Sequence, residues 1–369
     1  MKKLIGKNQS YCREINFELV INLLRQKPRS ATQLAEELEL SNATMSSIIK
    51  DLLELKMIDV SESVSVKGSG RKQVFYTLNN KYGLILVVNI AHKKADVNLI
   101  NLKEDVVANA TLYIDDINES SINQVILKAN ELLFNSDNKA PLKNIVISIV
   151  GLVKDKTEGQ EKHYVQTMFE NYFRGVPTYL TNDGNLITYG ELSTGEFLNT
   201  RNGVMVLLDY GIGGSIVIDN KLFRGDNGYA GEMGHMLCES NGTLEYLEDV
   251  ASLRVLLEKA GQIVSKKLKM EDLFELYESN KIVHELVLKS AENVGKALKS
   301  IVDVLDIETI VLAGRVSHFG EDYLRVVRVE TDKSLNKAKV IYSPLKDKGV
   351  ILGGAYIGVD YILKKSLSK

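Results

Sequence analysis

One stretch constrains this chain more than any other: residues 203–235, GVMVLLDYGIGGSIVIDNKLFRGDNGYAGEMGH. An apolar strand over 204–208 runs into the small-residue turn Asp209-Tyr210-Gly211-Ile212-Gly213-Gly214. A second strand over 215–218 follows, then a polar turn at Asp219-Asn220. A glycine-rich loop then leads into Gly231-Glu232-Met233-Gly234-His235. Glycines let a backbone turn sharply and approach a ligand with no side chain in the way. Glu232 and His235, three residues apart, can converge on one small polar ligand.

The 369 residues suffice for two or three domains with a sizeable core. An apolar content of 44% and a charged content of 25% are those of a soluble globular protein. No run approaches the roughly 18 apolar residues of a membrane span. The nearest, residues 82–91, is too short, so no membrane partner is expected. The first residues, MKKLIGKNQSYC, are basic but lack the apolar segment of an export signal. Cys12 and Cys238 are therefore read as reduced thiols of a cytoplasmic protein. Charge is unevenly spread: residues 1–78 carry +3 and residues 79–369 carry −5. A basic head on an acidic body suits a nucleic-acid module joined to something else.

The head has a specific pattern. Apolar Ile15, Leu19, Val20, Leu23 and Leu24 predict an amphipathic helix over 11–27, ended by Pro28. A short helix over 31–40 follows, with Thr32 and Gln33 near its start. Leu40-Ser41 makes a tight turn, and Ser41 is a candidate N-cap for the next helix. That helix, 42–56, buries Met45, Ile48, Ile49, Leu52 and Leu53 and leaves Asn42, Thr44, Ser46, Ser47 and Lys50 outside. Two strands, 57–66 and 73–78, flank a basic tip that includes Arg71 and Lys72. These are the parts of a winged helix-turn-helix. Such modules also serve protein contacts alone, but three features favour DNA. The second helix has an uncharged, hydrogen-bonding outer face, the wing tip is basic, and Arg25, Lys27, Arg29 and Lys50 are placed as phosphate neutralisers.

Residues 203–235 closely resemble the signature segment of the ROK family, whose members are sugar kinases and sugar-responsive repressors. Residues 30–72 resemble the amino-terminal domain of its repressors, with LSNATMS and GRK at the expected places. The resemblance implies an α/β chain: an N-terminal winged helix-turn-helix followed by a two-lobed actin-like (ribonuclease H-like) ATPase fold. Strands over 84–90, 96–102 and 106–113, a helix near 121–134 and a strand over 145–150 match the opening of that fold. The expected domains are 1–78 for DNA, 79–190 with 350–369 as the first lobe, and 191–349 as the second. The family's sugar site maps onto Gly151, onto Asn182 and Asp183 of Thr181-Asn-Asp-Gly-Asn185, and onto Glu232 and His235. In kinases of the family the aspartate at position 183 is the general base. A downstream Cys-x-Cys-Gly-x-x-Gly-Cys-x-Glu run normally supplies three zinc ligands and a sugar-binding glutamate. Here it is shortened, only Cys238 remains, and Glu245 falls nearest the glutamate, so no metal is expected.

The departures lie on the nucleotide side. The kinases' Asp-x-Gly-Gly-Thr-like phosphate turn is replaced by residues 89–95, NIAHKKA, with Asn89 for the carboxylate and bulky side chains for glycines. Near the end of the chain, Ala313-Gly314-Arg315 stands where Gly-Gly is usual. The expectation is a repressor without kinase activity or cofactor. It binds a palindromic operator in double-stranded DNA as a homodimer or tetramer and takes a sugar effector in the cleft between lobes. The competing expectation is a sugar kinase with an appended DNA-binding domain. A third is a repressor whose effector is a phosphosugar held near Lys93 or Lys94, or whose cleft is vestigial.

Overall fold

Serine and asparagine at the starts of apolar-periodic runs set many of the helix boundaries in the computed structural model, which describes residues 9–65, 72–91, 93–149, 156–240 and 242–367. Ser30 closes a capping box with Gln33, and Ser41 Oγ accepts the Thr44 amide at 3.1 Å. Each satisfies helix amides that have no partner within the helix. The chain forms two compact units, one from Met1–Asp183 with Gly354–Lys369 and the other from Gly184–Gly353.

The first unit opens with helices Gln9–Gln26, Ala31–Glu37 and Asn42–Glu54, followed by antiparallel strands Ile58–Ser65 and Lys72–Leu78. The two-residue strand Arg29–Ser30 completes a three-stranded sheet. Phe17, Ile21, Leu34, Met45, Leu52 and Met57 are fully buried and form the core of this winged module. Each aliphatic side chain buried this way contributes about 1.5–3 kcal/mol. Leu53, expected inside, is exposed, because Met45, Ile48, Ile49 and Leu52 already fill the inward stripe.

Beyond it, a five-stranded sheet is ordered Val106–Tyr113, Lys94–Asn101, Leu84–Ala91, Leu142–Ile149, Thr178–Thr181. The first two pairings are antiparallel and the last two parallel. Leu86, Val88 and Ile90 pack with Ile122, Val125 and Ile126 of helix Glu119–Asn135. The opposite face, which carries Ile85 and Val87, receives the final helix, Gly349–Leu367, at Gly358 and Gly354.

The second unit repeats the plan: Lys221–Phe223, Ile212–Ile218, Gly203–Leu208, Thr309–Ala313, Lys339–Tyr342. Its main core lies under helices Leu253–Ile263, Lys281–Leu305 and Gly320–Thr331. Two boundaries differ from expectation. Gly213 and Gly214 belong to a strand, in register with Leu207 and Val206, so the turn is confined to Asp209-Tyr210-Gly211. The apolar i, i+3, i+4 spacing over 244–301 predicts a helical run from its first residue, but Thr243–Tyr246 is a strand paired with Leu237–Ser240, because hairpin pairing outweighs that local spacing.

The first turn of the final helix presses on helix Asp183–Thr194 within this unit. A Cβ on Gly353 would stand 1.7 Å from the Leu186 carbonyl oxygen. Backbone against backbone leaves nothing that can move aside. Gly353→Ala is expected to cost about 3 kcal/mol or more, read as a fall in the urea midpoint; an unchanged midpoint would contradict the packing.

Candidate functional site

The outer face of helix Asn42–Glu54 presents Asn42, Thr44, Ser46, Ser47 and Lys50, all exposed, with Thr32 and Gln33 exposed on the preceding helix. Local bonds already use part of this polarity. Ser41 Oγ and Thr44 Oγ1 lie 2.8 Å apart, and Ser46 Oγ donates to the Asn42 carbonyl at 2.7 Å. Gln33 accepts the Ser30 amide through its side chain. Arg71 lies outside the described residues, and Lys72 opens the second wing strand.

Two expected phosphate contacts are overturned. The Arg29 side chain is buried, held by Glu37 at 2.9 Å and by the Leu23 and Lys27 carbonyls. The Arg25 side chain is 6% exposed and ion-paired with Glu104 at 3.0 Å. A guanidinium sealed from water needs its partner more than a screened phosphate can offer.

The residues expected on the sugar side are divided between the units and are described unit by unit. Asn182 closes the loop before helix Asp183–Thr194, and Asp183 is that helix's first residue, where a carboxylate favours the helix dipole. Gly151 lies outside the described residues. In the second unit, Gly231 has φ +97° and a Cβ there would meet the Gly214 carbonyl oxygen at 2.6 Å, so only glycine fits this contact. The chain then turns through Met233–His235, with Met233 buried as the anchor, Glu232 half-buried and His235 exposed. The His235 ring lies 5.1 Å from the Tyr246 ring. Glu245 is half-buried on the hairpin opposite Cys238, whose Sγ donates to the Glu245 carbonyl at 3.6 Å. Burial pushes the Cys238 thiol up, so it stays protonated. Among the described residues no group of three or more His, Cys, Asp or Glu is arranged to hold a metal ion.

Glu248 was not foreseen. Its Oε2 accepts the Ile212 amide at 3.0 Å, and a Cβ on Gly211 or Gly234 would come within 2.9 or 3.3 Å of that oxygen. One carboxylate thus braces the Asp209-Tyr210-Gly211 turn and the Gly234 loop together. The signal was present as spacing: Tyr246-x-Glu248 has the form Cys-x-Glu with tyrosine for cysteine.

On the other side of the same turn, Asp209 and Arg315 form a bidentate pair. Arg315 Nε donates to both Asp209 oxygens at 2.9 and 3.1 Å, its Nη2 donates to Oδ1, and its backbone amide donates to Oδ2 at 3.0 Å. Burial pushes the Asp209 carboxyl up, but the Arg315 hydrogen bonds and charge, with the Tyr210 amide, outweigh it and hold the group below the usual carboxylate range. Gly314, at φ +95°, lets the chain make this turn. In the first unit, strand Leu84–Ala91 ends with Asn89 in register with Asp96 and Ser148, and Lys94 pairs with Asp96 at 3.0 Å. The buried Asn89 Oδ1 and Ser148 Oγ have no hydrogen-bond partner.

The sequence profile of the ROK family matches residues 86–360. The chain belongs to the ROK family. It is 30% identical over 271 residues to the xylose repressor of Staphylococcus xylosus, which covers 70% of this chain and 71% of that protein. Its fold matches a ROK family transcriptional regulator described as a homolog of the E. coli MLC protein. The TM-score is 0.77 at 19% identity, over 96% of this chain and 99% of that one. The ROK hexokinase of Thermus thermophilus matches with a TM-score of 0.62 at 21% identity, over 74% of this chain and 97% of that one. The observed α/β architecture is thus that of the family's actin-like fold, carrying the winged helix in front.

Because Asp209 titrates low, its pair stabilises the fold above about pH 4, and that stability is lost as pH falls through the folded value. In Arg315→Gln, burial acts on Asp209 with only the amides of residues 210 and 315 against it, and its carboxyl moves up. The Tm deficit of the variant is therefore expected to be largest near neutrality and to narrow as pH falls from about 6 to about 3. A deficit independent of pH would show that the pair carries no charge coupling.

Proposed function

We propose that this chain is a sugar-responsive transcriptional repressor that binds a palindromic operator through residues 1–78 and has no kinase activity. The observation that carries this is the winged module itself, joined to a ROK body. The regulator fold matches this chain over 96% of its length, whereas the hexokinase fold matches 74%. The helix Asn42–Glu54 supplies the base-reading face, and Lys50, Arg71 and Lys72 supply phosphate contacts. A homodimer or tetramer reads two half-sites about one helical turn, or a multiple of it, apart. The protein works in the cytoplasm; among the described residues no helix is long and apolar enough to cross a membrane.

The effector is an aldose, with xylose the first candidate because the most similar relative named above is a xylose repressor. Asn182, Asp183, Glu232 and His235 hydrogen-bond its hydroxyls, with Glu248 or Glu245 as a further acceptor. The body comprises 79–190 with 350–369 and 191–349. Two changes at the expected phosphate turn speak against phosphoryl transfer: Asn89 for a carboxylate, and Ala91, His92 and Lys93 for the glycines.

Selection of random duplex DNA on the purified protein at about 0.15 M salt, followed by elution with xylose and other aldoses, tests this. One enriched palindrome that a sugar elutes is the expected result, with no ATP turnover on the same sugars. Asp183→Asn is expected to keep operator binding and lose sugar elution. Arg71→Ala is expected to weaken binding to every sequence and lower the salt slope by about one. ATP-dependent phosphorylation of any aldose, abolished by Asp183→Asn, would make the protein a kinase instead.

A further inference from the structure

Arg25 is the last basic residue of the N-terminal helix Gln9–Gln26, yet it is turned away from any DNA-facing surface. Its Nε meets Glu104 Oε1 at 3.0 Å, its Nη2 donates to the Tyr356 carbonyl at 3.0 Å, and its guanidinium lies 4.6 Å from the centre of the Tyr356 ring. Asn22 holds Nη1 at 3.1 Å. Glu104 comes from the tight turn between strands Lys94–Asn101 and Val106–Tyr113, where it adopts φ +68°, a left-handed conformation uncommon for a non-glycine residue. Its side chain is only 10% exposed, and burial pushes its carboxyl up against the pull of Arg25. Neither Arg25 Nε nor Glu104 Oε1 makes an aligned hydrogen bond. The ion pair, the stacking and the Arg25 hydrogen bonds to the Tyr356 carbonyl and to Asn22 hold this joint, and removing one charged partner leaves the other buried and unpaired.

Tyr356 belongs to the final helix. The first turn of that helix is locked against helix Asp183–Thr194, through Gly353 on Leu186 and Gly349 on Ile187. Three residues after Gly353, the same helix carries Tyr356 against Arg25. Farther along, Ser366 Oγ lies 2.9 Å from Tyr82 Oη, just past the winged module, and the charge of Glu18 acts on Lys364. One continuous helix thus grips the backbone of the helix that Asp183 opens and, a turn later, the helix that carries the winged module.

We propose that the Arg25–Glu104–Tyr356 joint docks the winged module on the ROK body and transmits the state of helix Asp183–Thr194 to it. This rests on the repressor function proposed above for its sugar arm, but docking itself is testable without any ligand. Asn79–Tyr82 is the connection that docking protects: the Asn79 amide donates to the Met57 carbonyl, and Lys81 is exposed. The isosteric Glu104→Gln keeps the shape and removes the charge. The expected result is tryptic cleavage after Lys81 about tenfold faster than in the wild type, with cleavage in the second unit unchanged. Tyr356→Leu, which removes the stacking partner, is expected to behave alike, and retained thermal unfolding of the second unit shows that neither variant has simply misfolded.

In the operator assay, Glu104→Gln is expected to bind sugar as the wild type does but to lose at least half of the sugar's effect on operator affinity. Unchanged cleavage after Lys81 overturns the joint. Faster cleavage with a full sugar response overturns its role in transmission. If no sugar changes wild-type operator binding, the proposed function fails, and the cleavage comparison alone decides whether the joint exists.

Discussion

The structure depends on a helix that comes close because it has almost no side chains where it must. Gly349–Leu367 begins in the second unit and ends in the first, and each half touches its own unit at glycines. Gly353 lies against the Leu186 carbonyl, while Gly354 and Gly358 lie against Val87 and Ile85. Elsewhere in a core, a methyl group too many is absorbed by a rotamer change. Here the opposing atom at Gly353 is backbone, so the spacing is fixed by covalent geometry. One unbroken helix thus carries both sets of contacts.

Burial, more than charge count, decides what the arginines do. Arg25, Arg29 and Arg315 all stand where sequence suggests contact with a phosphate or interference with one. Each is paired with a carboxylate of the chain, Glu104, Glu37 and Asp209, with the Arg25 and Arg29 side chains 6% and 5% exposed and that of Arg315 37%. A guanidinium out of water costs several kcal/mol unless paired, so once the fold closes around it the partner is effectively chosen. Exposed Lys50, weakly paired with Glu54 at 3.8 Å, remains available to a polyanion.

Much of the architecture was legible because it follows from short-range pattern. The strands of the first body sheet, the helix that covers it and the Ser41 cap stand where alternation and capping residues place them. What was not legible came from partners distant in sequence. Nothing near Arg25 announces Glu104 or Tyr356, which lie roughly 80 and 330 positions away and meet it only when the sheet and final helix assemble. Short elements were hidden too. In Thr243–Tyr246 four residues carry too little periodicity to separate strand from helix, and the cross-strand partner Leu237–Ser240 decides. Glu248 escaped for a related reason: the shortened run shifts its spacing by three residues relative to Glu245, and only contact with Ile212 and the neighbouring glycines singles it out.

The two turns expected on the nucleotide side, 89–95 and 313–315, depart from the kinase pattern, whereas the glycines between them match it. Gly211, Gly213 and Gly214 could be kept for a phosphate, but two of them have structural work of their own. Gly211 makes room for Glu248, and Gly214 faces Met233 and the Gly231 carbonyl oxygen. The carboxylate of Asp209 then occupies the mouth of the turn as an anion already neutralised by Arg315. The glycine pattern alone therefore overstates kinship with the kinases. The same residues hold the Asp209-Tyr210-Gly211 turn in place, with Glu248 on one side of it and Arg315 on the other.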